Sequence, residues 1–291
     1  MAFPLLAVLI WSGNTIVSKL AATAIEPGAI AFYRVLIAAS VMSPFLLLRI
    51  WKDRQIIKDH LWQLAVLALL GMVAYQGCIY LAAQSTSAMN MGIIVAIMPL
   101  VSAVLSSLLG VEVFTVGALL GGVLSVVGIA ILIGRGHPLI LLKNGIHLGD
   151  ALVLISTVSY AAYTVLLRHW AVRLSIWQLI YVLTMIAVVF TLPWYLLSPP
   201  SPITGKNLPL MLYAALPASL LAPYLWMLGI RFIGPNRASL FMNLAPVFIV
   251  LIAALLLHEP LHGYHVIGGA MALVGVWLGH TIRHPLRQKV S

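Results

Sequence analysis

The sequence predicts an all-α polytopic membrane protein: ten transmembrane helices arranged as two inverted five-helix repeats. Three observations carry that expectation. The chain is 63% hydrophobic and 8% charged, where a soluble domain has roughly 25% charged residues, so most of it belongs in lipid. Apolar runs of about 20 residues, enough to cross a bilayer as a helix, follow one another with short loops between them. One pattern also occurs twice, since Pro99, Glu112, Gly121, Gly122 and Gly128 return 147 residues later as Pro246, Glu259, Gly268, Gly269 and Gly275. Earlier in each half the offset is 149, which takes Trp11, Lys19 and Pro44 to Tyr160, Arg168 and Pro193. A difference in loop length accounts for the change, and the duplicated unit is about half the chain.

The first repeat is expected over 1–134. Span 1 (4–22) carries Trp11, Ser12 and Asn14 in mid-run. Ala22-Thr23-Ala24 mimics a leader cleavage site, but the run has no basic start and matches residues 153–173 of the second half. Span 2 (28–48) holds Arg34 and Pro44, and a loop follows over 49–61. Span 3 (62–82) holds Tyr75, Gln76 and Tyr80, the last two four apart and so on one helix face. Span 4 (87–108) contains Asn90, Met98 and Pro99; span 5 (114–134) is rich in Gly. A linker over 135–148 leads into the second repeat, 149–282. Span 6 (149–168) has Tyr160 and Tyr163, span 7 (175–197) has Pro193, and a loop covers 198–208. Span 8 (209–230) has Tyr224 and Trp226, span 9 (236–257) has Phe241, Met242, Asn243 and Pro246, and span 10 (263–282) repeats the Gly pattern. A basic tail, 283–291, closes the chain.

Charge sets the expected topology. With both termini on one side, that side holds eleven basic residues, Arg49, Lys52, Arg54, Lys58, Arg168, Arg173, Arg231, Arg237, Arg283, Arg287 and Lys289. The opposite side holds Lys19, Arg34, Arg135, Lys143 and Lys206. By the positive-inside rule both termini are cytoplasmic. Five spans per repeat is an odd number, so the second copy enters from the opposite face and the halves are inverted. Exchange of conformation between the halves then opens a midplane site to each side in turn. The net charge of +10 is dispersed over loops rather than gathered on a soluble face, which argues against nucleic acid. A single cysteine, Cys78, excludes a disulfide framework or a Cys-rich metal site.

Pro99 and Pro246 each remove a backbone hydrogen bond, to the carbonyls of Val95 and Met242, and predict kinks in spans 4 and 9. In lipid a freed carbonyl is tolerated only against protein or a wet cavity. Polar and aromatic residues at membrane depth define candidate cavity walls: Trp11, Asn14, Tyr75, Gln76, Tyr80, Met98, Tyr160, Tyr163, Tyr224 and Asn243. Plain packing, an interfacial belt or helix–helix hydrogen bonds are the structural alternatives for each. Together they describe an aromatic, Met-lined, sparsely polar cavity suited to a small organic molecule with an apolar part. The acids Glu26, Asp53, Asp59, Glu112, Asp150 and Glu259 all fall at or near span ends, so no midplane carboxylate is available for a proton relay.

His258-Glu259-Pro260-Leu261-His262 spells a zinc-protease pattern, but that chemistry needs both histidines on one continuous helix, and Pro260 interrupts it. The first repeat has Val111 and Thr115 at those places yet keeps Glu112. Glu112 and Glu259, just before spans 5 and 10, therefore read as caps of those helices or as gate residues. Lys19 and Arg168 end spans 1 and 6, as helix-end cations or as parts of a gate. Gly117–Gly121 and Gly275–Gly279 have the spacing of close helix packing, within a repeat or in a weak homodimer.

Trp11-Ser12-Gly13-Asn14 with Lys19, Arg34, Pro99 with Glu112, Pro246, Glu259-Pro260 and the Gly-rich last span resemble the EamA-type transporters of the drug/metabolite transporter superfamily. Within it the chain looks most like the YddG-type aromatic amino acid exporters. The resemblance implies that spans 1, 3, 4, 6, 8 and 9 line a central cavity while 5 and 10 are peripheral. It implies an exporter of amino acids in a bacterial inner membrane, monomeric or weakly dimeric, with no cofactor, no metal and no catalytic residue. Arg34 has no basic counterpart, since Leu183 occupies its equivalent place. Alternatives are a carrier of purines, sugars or toxic cations, a non-transporting helper subunit, or an intramembrane enzyme. The enzyme would need a nucleophile–base pair or metal set at common depth, and the sequence offers none.

Overall fold

The computed structural model describes residues 2–109, 115–139, 146–233, 241 and 244–282. The chain folds as α1 (Ala2–Ala21), α2 (Pro27–Lys52), α3 (Arg54–Asp59), α4 (Leu61–Ala68), α5 (Tyr75–Ala82), α6 (Ala88–Val95), α7 (Met98–Leu108) and α8 (Val116–Ile133). The second half continues with α9 (Leu148–Trp170), α10 (Ile176–Leu197), α11 (Leu208–Ala215), α12 (Ala222–Ile233), α13 (Ala245–Leu256) and α14 (Gly263–Thr281). Among the described residues seven spans are long and apolar enough to cross a membrane, and three shorter apolar helices accompany them. Outward-facing positions such as Phe45 (76% exposed) and Leu197 (87%) are apolar, as a lipid-facing surface requires.

Local sequence explains the boundaries. Pro27 opens α2 after extended Glu26, where its missing N–H costs nothing, and Arg49 and Lys52 occupy the last turn, facing the negative end of the helix dipole. Ser87 caps α6 by accepting from Asn90 N at 3.0 Å. Ser175 and Gln178 form a reciprocal capping box on α10. One expectation is corrected: the 49–61 segment is not a loop, because α2 runs on to Lys52 and α3 follows. Where kinks were expected, Pro99 and Pro246 each sit in the first turn of a helix, α7 and α13, and α6 ends just before the first of them. Their missing donors fall where a helix start leaves N–H groups unpaired anyway. The basic tail, the middle of the 135–148 linker, Glu112 and Asn243 lie outside the described residues.

The helices pair mainly across the two halves. α2 lies along α10, α1 along α12 and α13, α9 along α5 and α7, and α8 along α14. The α2–α10 seam is antiparallel: the Tyr33 and Tyr195 hydroxyls meet at 2.7 Å, and further along Ser43 meets Tyr181 at 2.8 Å. The α8–α14 seam is antiparallel too. Gly121 backs onto the Gly275 carbonyl and Gly128 onto that of Gly268, with Ser125 donating to Ala272 O at 3.0 Å between them. The Gly spacing thus serves neither packing within one repeat nor an exposed dimer face; the backbones of opposite halves consume it.

A Cβ at position 121 would run into the Gly275 carbonyl, whereas at Gly122 nothing lies within 4 Å. Gly121→Val is expected to cost about 1–3 kcal/mol by overpacking. It should lower the unfolding temperature in detergent, read by fluorescence-detected gel filtration. Gly122→Ala should hold or raise it, since Ala favours a helix by up to about 1 kcal/mol over Gly.

Candidate functional site

Two π-helical turns frame the centre of the molecule. Leu69–Ala74 joins α4 to α5, and Pro217–Leu221 joins α11 to α12, at equivalent places in the duplicated sequence. A π-turn inserts a residue, shifts the hydrogen-bond ladder and is frequent at functional sites. An aromatic from the opposite half docks on each. The Trp11 indole donates to Ala218 O at 3.1 Å. The Tyr163 ring fills the space where a side chain at Gly71, the counterpart of Ala218, would stand. Arg34, 8% exposed, reaches the same π-turn, its Nη2 donating to Ser219 Oγ at 2.6 Å.

From there the aromatic residues run inward. Tyr75 meets Tyr160 with ring centres 4.6 Å apart, and Tyr160 meets Tyr163 at 5.2 Å. Trp11 lies 5.7 Å from Trp226. Beside Tyr75 are buried polar atoms without a hydrogen bond of good geometry, Arg34 Nε and Nη1, Gln76 Nε2 and the Tyr80 hydroxyl, and on α1 Asn14 Oδ1 is another. The Arg34 guanidinium is close enough to act electrostatically on both Tyr75 and Tyr80. In a membrane interior, such orphaned groups cost free energy unless something else satisfies them.

Of the residues expected from sequence, Tyr75 meets Tyr160 and Tyr160 meets Tyr163, with Gln76 and Tyr80 beside Arg34; Trp11 docks on the second π-turn, and Asn14 Oδ1 is buried on α1 without a partner. Met98, half-buried, opens α7 beside the helix break. Tyr224 does not join them. It is 39% exposed and stacks on Trp177 at the start of α10. Sequence reasoning left Arg34 and Ser219 out of the site. Arg34 had a readable signal, an ionisable residue inside an apolar span; Ser219 had none.

Lys19 and Glu259 act at one end of the bundle. Lys19 Nζ donates to Ala83 O at 2.7 Å and Thr86 O at 2.6 Å, at the C-terminal end of α5. Glu259 accepts from Ala88 N at 2.9 Å and Met89 N at 3.1 Å. It therefore caps α6 in the opposite half rather than α14, which His262 and His265 cap instead. A cation holds the carbonyl end of α5 and an anion the amide end of α6, so both helix dipoles are matched across a turn of a few residues. Here a cavity of about 540 Å³ opens, with Asp150, His262 and His265 also in its walls. Arg168 sits in the last turn of α9. His258, with φ 52, lies just past α13 and His262 just before α14, so the two histidines of the zinc-like pattern share no helix.

The model of the EamA-like transporter family matches residues 1–134 and again 147–279. An uncharacterized transporter of Archaeoglobus fulgidus is 26% identical over 287 residues, 96% of each chain. The uncharacterized transporter YyaM of Bacillus subtilis is 25% identical, covering 94% of this chain and 90% of its own. Protein PecM of Dickeya dadantii is 28% identical over 72% of this chain and 70% of its own. A protein of known crystal structure superposes with a TM-score of 0.67 at 17% identity, covering 99% of this chain and 97% of that one, a likeness of fold.

Glu259→Ala removes both α6 cap bonds and is expected to cost about 1 kcal/mol, within the range of N-cap deletions. A melting point lowered by a few degrees in detergent would register it. His258→Asn, at an exposed position whose positive φ Asn tolerates, should leave the melting point where it is.

Proposed function

Because this chain belongs to the EamA-like transporter family, we propose that it exports amino acids, neutral and aromatic ones foremost, with related small metabolites, by alternating access. Ten spans in two inverted five-helix repeats, 1–134 and 149–282, are the machine for it. The antiparallel seams α2–α10 and α8–α14 support the inversion, as does the exchange by which α1 packs on α12 while α9 packs on α5. Helices so intertwined can trade conformations between halves, opening first one mouth and then the other. The consumed glycine faces favour a monomer. Eleven basic residues on one side favour cytoplasmic termini in a bacterial inner membrane. Export, rather than uptake, rests on the resemblance to exporters.

The observation that carries the substrate reading is the row Tyr75–Tyr160–Tyr163 ringed by unpartnered polar atoms. Stacked rings offer their faces to an apolar or aromatic side chain. Asn14 Oδ1 is an acceptor for an ammonium group, and Gln76 Nε2 is a donor for a carboxylate. Met98 adds an adaptable wall. Lys19, Glu259 and, at the equivalent places, Arg168 and Glu112 would hold the two mouths.

Purified protein in liposomes should exchange labelled phenylalanine in counterflow, measured with and without a pH gradient. Asn14→Ala or Tyr163→Ala should lower that flux about tenfold, equivalent to about 1.4 kcal/mol, at unchanged membrane expression. Counterflow of purines or sugars but of no amino acid would sink the reading, and full flux in both variants would remove these residues from the site.

A further inference from the structure

We infer that Arg34 is the anion anchor of the central site and takes a carboxylate of the transported molecule. The inference rests on the transport reading for its setting but not on amino acids as the cargo. Arg34 is 8% exposed, eight residues into α2 and surrounded by apolar helix. Its one hydrogen bond of good geometry among the described residues is Nη2 to the neutral Ser219 hydroxyl; the Tyr80 hydroxyl lies beside the guanidinium, and Nε and Nη1 have no well-aligned acceptor. No described carboxylate forms an ion pair with it. A guanidinium stays protonated in a protein, so the charge cannot be shed by titration. An uncompensated buried charge is costly, and burial is tolerated where a counter-charge arrives.

The neighbours fit an anion. Gln76 Nε2 is a donor, and the Tyr80 hydroxyl, beside both Gln76 and Arg34, can be one; both are buried and neither makes a hydrogen bond of good geometry. The same guanidinium acts on Tyr80 and Tyr75, and Tyr75 begins the aromatic row. A molecule with a carboxylate at Arg34, Gln76 and Tyr80 would lay its adjoining ring or alkyl part against Tyr75 and Tyr160. One formal positive charge matches one carboxylate; a dianionic phosphate would bring an excess charge into the same low-dielectric space. Leu183 occupies the equivalent place in the second half and is buried, so the anchor is single, as one substrate per cycle requires.

The test compares phenylacetate with phenylacetamide, isosteres that differ in charge, by quenching of tryptophan fluorescence in the purified protein. Wild type is expected to bind phenylacetate at least tenfold more tightly. Arg34→Gln should erase the difference, and Arg34→Lys should keep part of it, because lysine keeps the charge but not the planar geometry. Should Arg34→Gln not fold, Gln76→Met tests the same pocket. It should weaken phenylacetate several-fold and phenylacetamide less, since a charged acceptor loses more than a neutral one. No preference in wild type, or a preference that survives Arg34→Gln, overturns the inference. Phenylalanine counterflow separates the two claims. Arg34-dependent phenylacetate binding in a protein that carries no amino acid keeps the anchor and removes the amino-acid cargo. Phenylalanine flux that ignores Arg34 does the reverse.

Discussion

A chain this apolar must satisfy its hydrogen-bonding groups within itself, because the bilayer core supplies no water. The helical architecture follows from that, and so does the meaning of every departure from it. Serine and threonine hydroxyls inside the spans fold back on their own helices, as Ser12 does to Val8 O, Thr157 to Val153 O and Thr191 to Ala187 O. Against this background the exceptions stand out. The π-turns at 69–74 and 217–221 and the breaks before Pro99 and Pro246 disturb the backbone ladder, and all four belong to the spans that meet the opposite half. Irregular backbone survives where protein covers it, and there side chains such as Trp11 supply the missing partner.

The same constraint explains how the halves hold together. With no hydrophobic force between helices in lipid, close backbone approach and a few polar contacts decide association. Gly121 and Gly128 of α8 and Gly268 and Gly275 of α14 provide the approach, each meeting a carbonyl of the other helix. Ser125 donates to the carbonyl of Ala272, its own counterpart 147 residues on. On either side of it Gly121 meets Gly275 and Gly128 meets Gly268, in opposite chain order, the arrangement that the proposed two-fold relation of the copies calls for.

Much of this was legible in the sequence, and the rest was hidden for identifiable reasons. Span positions could be read because length and apolarity are local properties, and, apart from span 9, whose expected start lies outside the described residues, the described helices start and stop within a few residues of them. The duplicated pattern pointed to the glycine faces, but spacing names no partner, and the partner is the other half. Glu259 was recognisable as a cap, yet its amides belong to Ala88 and Met89, far away in sequence. The π-turn at Leu69–Ala74 has no breaker residue beyond Gly71, so nothing local announced it. Tyr224 was grouped with the cavity by residue type, but the face it occupies on α12 turns it toward Trp177.

What the duplication preserves and what it drops divide the molecule by task. Lys19 and Arg168, Glu112 and Glu259, Pro99 and Pro246, and the Gly121 and Gly128 pairs recur in both halves. These are residues at span ends, at helix breaks and along the central seam. They must act alike on both faces if the two mouths are to alternate. The polar residues around the aromatic row do not recur: Asn14 answers to Tyr163, Arg34 to Leu183, Gln76 to Pro223 and Tyr80 to Met227. A substrate has a polar end and an apolar end, so the surface that reads it has no reason to be two-fold. In the proposed transport cycle the symmetric residues therefore belong to the motion and the asymmetric ones to recognition, and Arg34, a buried charge with a leucine as its counterpart, lies furthest to the recognising side.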